Sequence, residues 1–253
     1  ALLARLVAAC DGGRSAEAGP VDALFELILE GGGAAARPAR IAYGLAADAA
    51  GSVVLEAAAR YASPRLVAKL VEAAASASGP GLTKWADHGV ANFGLQALLR
   101  RAPEADAATL CGAALDANVV LLRRERAGVL SALAERAGDA APRLRAAVVA
   151  EGSDENWVSS LVADDRGGVR EHGARAVAAL LNGDDGPVEA AVGRSDVLTR
   201  CAADFRRPWA RALLEAAASA GLGDAAADAL AENELEHCAC ARDPYEAAER
   251  KPP

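Results

Sequence analysis

An all-α array of short helical repeats is the fold class this sequence predicts, on three observations. Alanine and leucine dominate a chain that is 53% hydrophobic, aromatics make up only 4%, and the β-branched clusters typical of strands are scarce. That composition favours close-packed helices. Gly, Pro and Ser punctuate the chain into segments of helical length. The segments also recur: aligned on Gly51, equivalent positions fall at Ala91, Glu125, Gly173 and Arg207, at spacings of 40, 34, 48 and 34 residues. An all-helical repeat of that length is an α-solenoid in which each unit packs on its neighbours.

The elements follow in order. Ala1 to Cys10 reads as a helix end, and the stretch from Asp11 to Pro20, rich in Gly, Ser and Pro, as a loop. Val21 to Glu30 is amphipathic and stops at Gly31-Gly32-Gly33. Ala39 to Ala47 is a helix, and Asp48 is placed to cap the next one, which carries Ser52 and Glu56. Ser63-Pro64 is a start signal for a helix reaching Ala77. Leu82 to Ala86 leads into Val90 to Ala102, Pro103 breaks that helix, and Ala105 to Ala117 follows. Further helices are expected over Val119 to Ala137, Pro142 to Ala150, Trp157 to Ala163, Val169 to Leu181, Val188 to Val192, Val197 to Ala202, Trp209 to Ala220 and Ala225 to Ala231. The expected repeat domain covers residues 1–235, about six units, clearest over 40–220, with 236–253 a charged and partly disordered tail.

Charge and cysteine usage narrow the function classes. A net charge of −8 argues against a strongly basic nucleic-acid binder, because phosphate contact draws on Lys and Arg. The excess is uneven: from Asp224 onward there are eight acidic and three basic residues, a net of −5, which leaves −3 for everything before it. A local basic face therefore remains open in the body of the chain. Five scattered cysteines (Cys10, Cys111, Cys201, Cys238, Cys240) in a chain too large to need disulfide staples suggest a reducing, intracellular compartment. No apolar run approaches a membrane span, and no membrane partner is expected. The absence of methionine suggests a fragment, a processed chain, or a sequence with modified methionines omitted.

Two hexapeptides in matching phase carry the functional signal: Gly51-Ser52-Val53-Val54-Leu55-Glu56 and Ala91-Asn92-Phe93-Gly94-Leu95-Gln96. Each places a small polar residue and a Glu or Gln four positions apart on one helix face, with a side chain that can stack beside the first. These segments resemble the RNA-facing helices of Pumilio (Puf) repeats, whose Ser-x-x-x-Glu and Asn-aromatic-x-x-Gln triplets each read one base. The resemblance rests on Asp48-Ala-Ala-Gly-Ser-Val-Val-Leu-Glu56 and His88-Gly-Val-Ala-Asn-Phe-Gly-Leu-Gln96. The order of the units, with the degenerate Arg126-Ala-Gly-Val-Leu130 and then His172-Gly-Ala-Arg-Ala-Val-Ala-Ala-Leu-Leu181, is similar to the C-terminal half of the nucleolar Pumilio-type branch of small-ribosomal-subunit assembly.

The resemblance implies a right-handed α-solenoid of Pumilio-like repeats, related to armadillo and HEAT arrays. It implies single-stranded or structured RNA as partner, pre-ribosomal RNA above all, with ribosome-assembly proteins possible neighbours and a nucleolar or nuclear location. Carried over, Ser52 and Glu56 meet one base edge with Val53 beside it, and Asn92 and Gln96 meet another with Phe93 stacking. Amides pair with exposed base edges, and an aromatic between them offers a platform. The third, fourth and fifth triplets, Arg126-Ala127-Leu130, Ala174-Arg175-Ala178 and Pro208-Trp209-Ala212, lack edge-reading groups. Arg126 and Arg175 are candidates for phosphate contact there, and Trp209 for stacking.

Plainer readings stand beside these. Asn92, Phe93 and Gln96 are equally an ordinary buried Phe between two solvated amides, and the Arg123, Arg124, Arg126 run a solvated face. The competing function is an armadillo- or HEAT-like scaffold for a peptide or protein, or a structural subunit of a large assembly. His237-Cys238-Ala239-Cys240 lacks the second pair that a zinc site needs. Gly31-Gly32-Gly33 and Gly79-Pro80-Gly81 lack the Gly-Lys-Ser/Thr of a phosphate loop. Asp164-Asp165 and Asp184-Asp185 have no His or Lys partner in view for acid–base work. The expectation is a binding protein without catalytic residues, metal or cofactor.

Overall fold

Capping residues and prolines set where several of the helices begin, and so how the chain turns there. The computed structural model describes residues 20–30, 38–76, 81–117, 122, 126–152, 156–166, 168–183 and 186–246, with only the backbone at 20, 30 and 236–246. The sequence expectations for residues 1–19, Gly31-Gly32-Gly33, Gly79-Pro80, residues 118–121, Arg123, Arg124, Glu125, Asp184-Asp185, residues 247–253 and the side chains of His237, Cys238 and Cys240 lie outside it. The chain divides into two compact units, Ala1–Glu151 and Gly152–Pro253.

In the first unit the helices are α1 (Pro20–Glu30), α2 (Pro38–Ala47), α3 (Ala49–Tyr61), α4 (Pro64–Ala75), α5 (Leu82–Asp87), α6 (Ala91–Arg101), α7 (Glu104–Asp116), α8 (Ala127–Arg136) and α9 (Ala141–Glu151). Asp48 caps α3 as its sequence position suggests: its Oδ1 accepts the Ala50 and Gly51 amides at 3.0 and 2.7 Å. The chain turns by 112° there, between α2 and α3. Ser63 caps α4 through Leu66 N, with Pro64 in the first turn. Its own amide donates to the buried Asp22 carboxylate at 3.1 Å, which ties α1 to the α3–α4 corner.

These helices form two rows. Helices α3, α6 and α8 stack in succession as one row, while α4, α7 and the segment leading into α9 form the other. Helices α2 and α5 enter ahead of α3 and α6, which gives two three-helix repeats. The fully buried side chains Leu55, Leu70, Trp85, Leu98, Leu110 and Leu133 fill the space between. Small residues let the first row close. A Cβ on Gly51 would run into the Leu45 carbonyl oxygen, one on Gly94 would meet Leu55 Cδ2 at 2.8 Å, and one on Gly128 would meet the Gln96 amide at 2.6–2.7 Å. The arginines ending α6 and α8 reach the carbonyls ending the helix before. Arg101 Nε donates to Arg60 O at 3.2 Å and Arg136 Nη2 to Ala102 O at 2.5 Å, a pairing that suits the negative end of a helix.

The second unit holds α10 (Trp157–Val162), α11 (Glu171–Leu181), α12 (Pro187–Gly193), α13 (Val197–Ala203), α14 (Pro208–Ala217) and α15 (Gly223–Glu246). Helix α11 stacks on α14, and Gly173 sits against the Leu161 carbonyl as Gly51 sits against Leu45. At Gly51 and Gly173 the aligned position is thus where a helix crosses the one before it; Arg207 at the same alignment is exposed, and Glu125 lies outside the described residues.

Three elements differ from expectation. The helix expected over Val119 to Ala137 begins only at Ala127, with Leu122 outside any helix. Val169 is not helical: it bridges Ala163, because its amide donates to Asp204 Oδ2 and the Asp164 carboxylate gathers the Arg166 and Gly168 amides. Helix α15, expected to end at Ala231, runs to Glu246. No Gly or Pro interrupts residues 224–243, and alanine recurs throughout. Among the described residues no single helix is long and apolar enough to cross a membrane.

Candidate nucleic-acid interface

The interface candidates occupy the N-terminal turns of the stacked helices, so the surroundings of each turn decide which side chains project. The entry to α6 is fixed by His88. Its Nδ1 accepts the Val90 and Ala91 amides at 3.2 Å, so it caps the helix in a tautomer that leaves Nδ1 unprotonated. Tyr43 of α2 packs edge-on against both His88 and Trp85. The first turn of α6 is therefore held from three sides.

From there a polar ladder runs along one face of α6 at i, i+4 spacing. Asn92 Nδ2 donates to His88 O at 2.8 Å, Gln96 Nε2 donates to Asn92 Oδ1 at 3.0 Å, and Arg100 donates to Gln96 Oε1 at 3.5 Å. Arg100 also lies 3.8 Å from Glu135 of α8, whose other oxygen accepts the Ser131 hydroxyl at 3.0 Å. Asn92 and Gln96 are only 8% and 6% exposed, against 51% for Phe93. This is the reverse of an ordinary amphipathic helix, where the ring is buried and the amides are solvated. The amides satisfy one another under the closely packed Gly128, and the ring stands outside. Each amide commits one of its two N–H groups to the ladder.

The equivalent turn of α3 is built alike. Val53 projects, 46% exposed, while Ser52 is buried and its hydroxyl donates to Ala49 O at 3.4 Å. Glu56 is half-buried, and burial raises its carboxyl pKa against the lowering pull of Arg60. In α11, Arg175 is partly exposed and pairs with Glu171 at 3.4 Å. In α14, Trp209 is half-buried, its Nε1 donates to Val169 O at 3.3 Å, and the Arg207 guanidinium stands 5.5 Å from its ring centroid.

Helix α8 departs from this arrangement. Residues Ala127 to Leu133 are all buried, so its second position cannot project. Arg126, expected on the RNA face, is 6% exposed and forms an ion pair with Asp87 at the end of α5. It joins two helix ends. Ser52 is likewise inside. The structure thus brings Val53 and Phe93 to matching outward positions of adjacent helices, and places Ser52, Asn92, Gln96 and Arg126 beneath the surface. The His88–Asn92–Gln96–Arg100 spacing could have signalled the ladder. The Arg101 and Arg136 ties across helix ends have no comparable local signal, because their acceptors are main-chain carbonyls of another repeat.

No group of His, Cys, Asp and Glu side chains among the described residues could hold a metal ion. Cys111 and Cys201 are buried free thiols, pushed up to about 11 and about 12 by desolvation. Neither is suited to nucleophilic chemistry.

Three-helix repeats whose middle helices stack in register, with a recurring projecting position in the first turn, define a PUF-type helical repeat protein. The class is RNA-binding. More narrowly, the chain belongs to the NOP9-like PUF repeat domain family, whose model matches residues 1–176. No curated protein and no solved structure matches it.

Proposed function

We propose that the protein binds single-stranded RNA across the first turns of α3 and α6, and that its RNA is pre-ribosomal, bound during small-subunit assembly in the nucleolus. The supporting observation is Phe93: an aromatic ring held outside the stacked row, above two buried amides that each keep one N–H uncommitted. A base stacking on Phe93 brings its edge to Asn92 and Gln96, and a second base meets Val53 with Glu56 at its edge. Ser52 and Arg126 support the helix ends from within; Arg175, in the second unit and paired with Glu171, is a separate candidate for backbone contact. Membership of the NOP9-like family supports the choice of pre-ribosomal RNA and of assembly proteins as neighbours.

The test has two levels. Fluorescence anisotropy with a labelled single-stranded RNA should show binding that weakens as salt rises, because each neutralised phosphate releases counterions. Absence of binding at low salt would end the reading. Crosslinking in cells should then recover precursor rRNA with the protein. Recovery of messenger RNA alone would overturn the ribosomal assignment and keep the RNA-binding one.

A further inference from the structure

The second unit carries a cluster of which the triplet positions account only for Pro208 and Trp209. Residues Phe205 to Arg211 read Phe-Arg-Arg-Pro-Trp-Ala-Arg: three cations, no acid, and two of the nine aromatics in the whole chain, in a protein of net charge −8. They fall beyond the residues matched by the family model. The structure gathers them into two interleaved pairs. Arg207 stands 5.5 Å from the Trp209 ring centroid, and Arg211 stands 5.8 Å from that of Phe205. The Arg211 amide donates to Arg207 O at 3.2 Å, so the two pairs sit one helical turn apart.

Exposure and charge show what the cluster can meet. Phe205 is 41% exposed, and Arg206, Arg207 and Arg211 are all exposed. Neighbouring acids are already engaged: Asp204 pairs with Arg207 and accepts Val169 N, and Asp164, which also feels the charge of Arg207, accepts the Arg166 and Gly168 amides. Arg206 and Arg211 have no carboxylate partner among the described residues. A guanidinium beside an exposed ring presents a stacking plane and a phosphate donor together, which suits a flexible strand of alternating bases and phosphates. Pro208 and Ala212 occupy the edge-reading positions of this repeat and can read nothing.

We propose that Phe205, Arg206 and Arg211, with the Arg207–Trp209 pair beside them, form a second single-stranded RNA contact that holds backbone and base faces without reading sequence. The proposal rests on the RNA-binding reading above, and the experiment separates the two. The full chain is titrated with labelled oligo(rU) across a salt series, as wild type, as the Arg206→Glu/Arg211→Glu double variant, as Phe205→Ala, and as Phe93→Ala, with circular dichroism confirming the helical content of each.

Charge reversal should lower affinity about tenfold or more and flatten the slope of log K against log salt by about 1.4, the loss of two single-strand phosphate contacts. Phe205→Ala should weaken binding several-fold without changing that slope. If Phe93→Ala weakens binding and the unit-two variants do not, this proposal falls and the reading at α6 stands. If the unit-two variants weaken binding and Phe93→Ala does not, this proposal stands and the α6 site falls. If wild type binds no RNA, both fall. Displacement of the RNA by poly-L-glutamate as effectively as by unlabelled oligo(rU), charge for charge, would reveal an acidic-peptide surface and overturn the proposal.

Discussion

Helix α6 and helix α14 hold the same place in their repeats and dispose their side chains in opposite ways. In α6 the polar groups run inward as a hydrogen-bonded ladder from His88 to Glu135, and an uncharged ring is left outside. In α14 the first turn carries no ladder: Pro208 and Ala212 stand where α6 has Asn92 and Gln96, and the outside holds arginines against aromatics. Gly128 of α8 leaves room for the Gln96 amide, so α6 can bury polar groups that satisfy one another. In the second unit Ala210 of α14 holds the place of Gly128, fully buried, against α11, whose Ala178 stands where α6 has Gln96. On the proposed readings, α6 discriminates among bases and α14 only holds a strand.

The comparison can be broken by experiments of decreasing effect. Cys111 of α7 and Cys201 of α13 provide one buried thiol in each unit. With the other three cysteines changed to Ser, both should react with a disulfide reagent at pH 8 at least about a hundredfold more slowly than in urea, since burial suppresses both thiolate and access. Rapid labelling of the native chain would contradict their burial.

Gly128→Ala should cost about 2 kcal/mol in urea unfolding, because its Cβ displaces a Gln96 amide fixed by two hydrogen bonds. The reciprocal change in the second unit, Ala210→Gly, should cost about 1 kcal/mol, chiefly from helix propensity. Equal costs would mean that the ladder yields freely and that the two interfaces are alike.

The smallest effect is electrostatic. Asp196 is held below the usual carboxylate range first by the Arg200 hydrogen bond, opposed by burial and aided by Ser159. A depressed native pKa contributes stability that is present above the unfolded pKa and is lost as pH falls through the native value. Asp196→Asn should therefore lower stability by a few tenths of a kcal/mol at neutral pH, as befits an exposed pair, and by nothing in strong acid. A loss unchanged by acid would mean that the side chain acts through packing.

Much of this arrangement was legible in the sequence because it is local. Asp48, Ser63 and Pro64 announce their helices within four residues, and the spacing of Gly51, Ala91 and Gly173 fixed which turn faces which. Whether a side chain in that turn points in or out was not legible. That depends on what the next repeat offers across the interface: a glycine at 128 turned Gln96 from a solvated group into a buried one, and Asp87 drew Arg126 inside. The phase placed Val53 and Phe93 on matching turns, but the exposure of each candidate residue belongs to contacts between repeats, 32 residues apart for Gln96 and Gly128 and 39 for Asp87 and Arg126. The bridge at Val169 is not legible for the same reason, since its capping carboxylate, Asp204, lies 35 residues on.

The measurement that bears most directly on the central claim is the single-stranded RNA affinity of Phe93→Ala beside that of Leu27→Ala, an exposed apolar residue of α1 outside the stacked row. If Phe93 is a base platform, its truncation should raise Kd about tenfold while the urea midpoint stays within experimental error of wild type, and Leu27→Ala should change neither. Equal Kd values for the two variants and wild type, with RNA still bound, would contradict it.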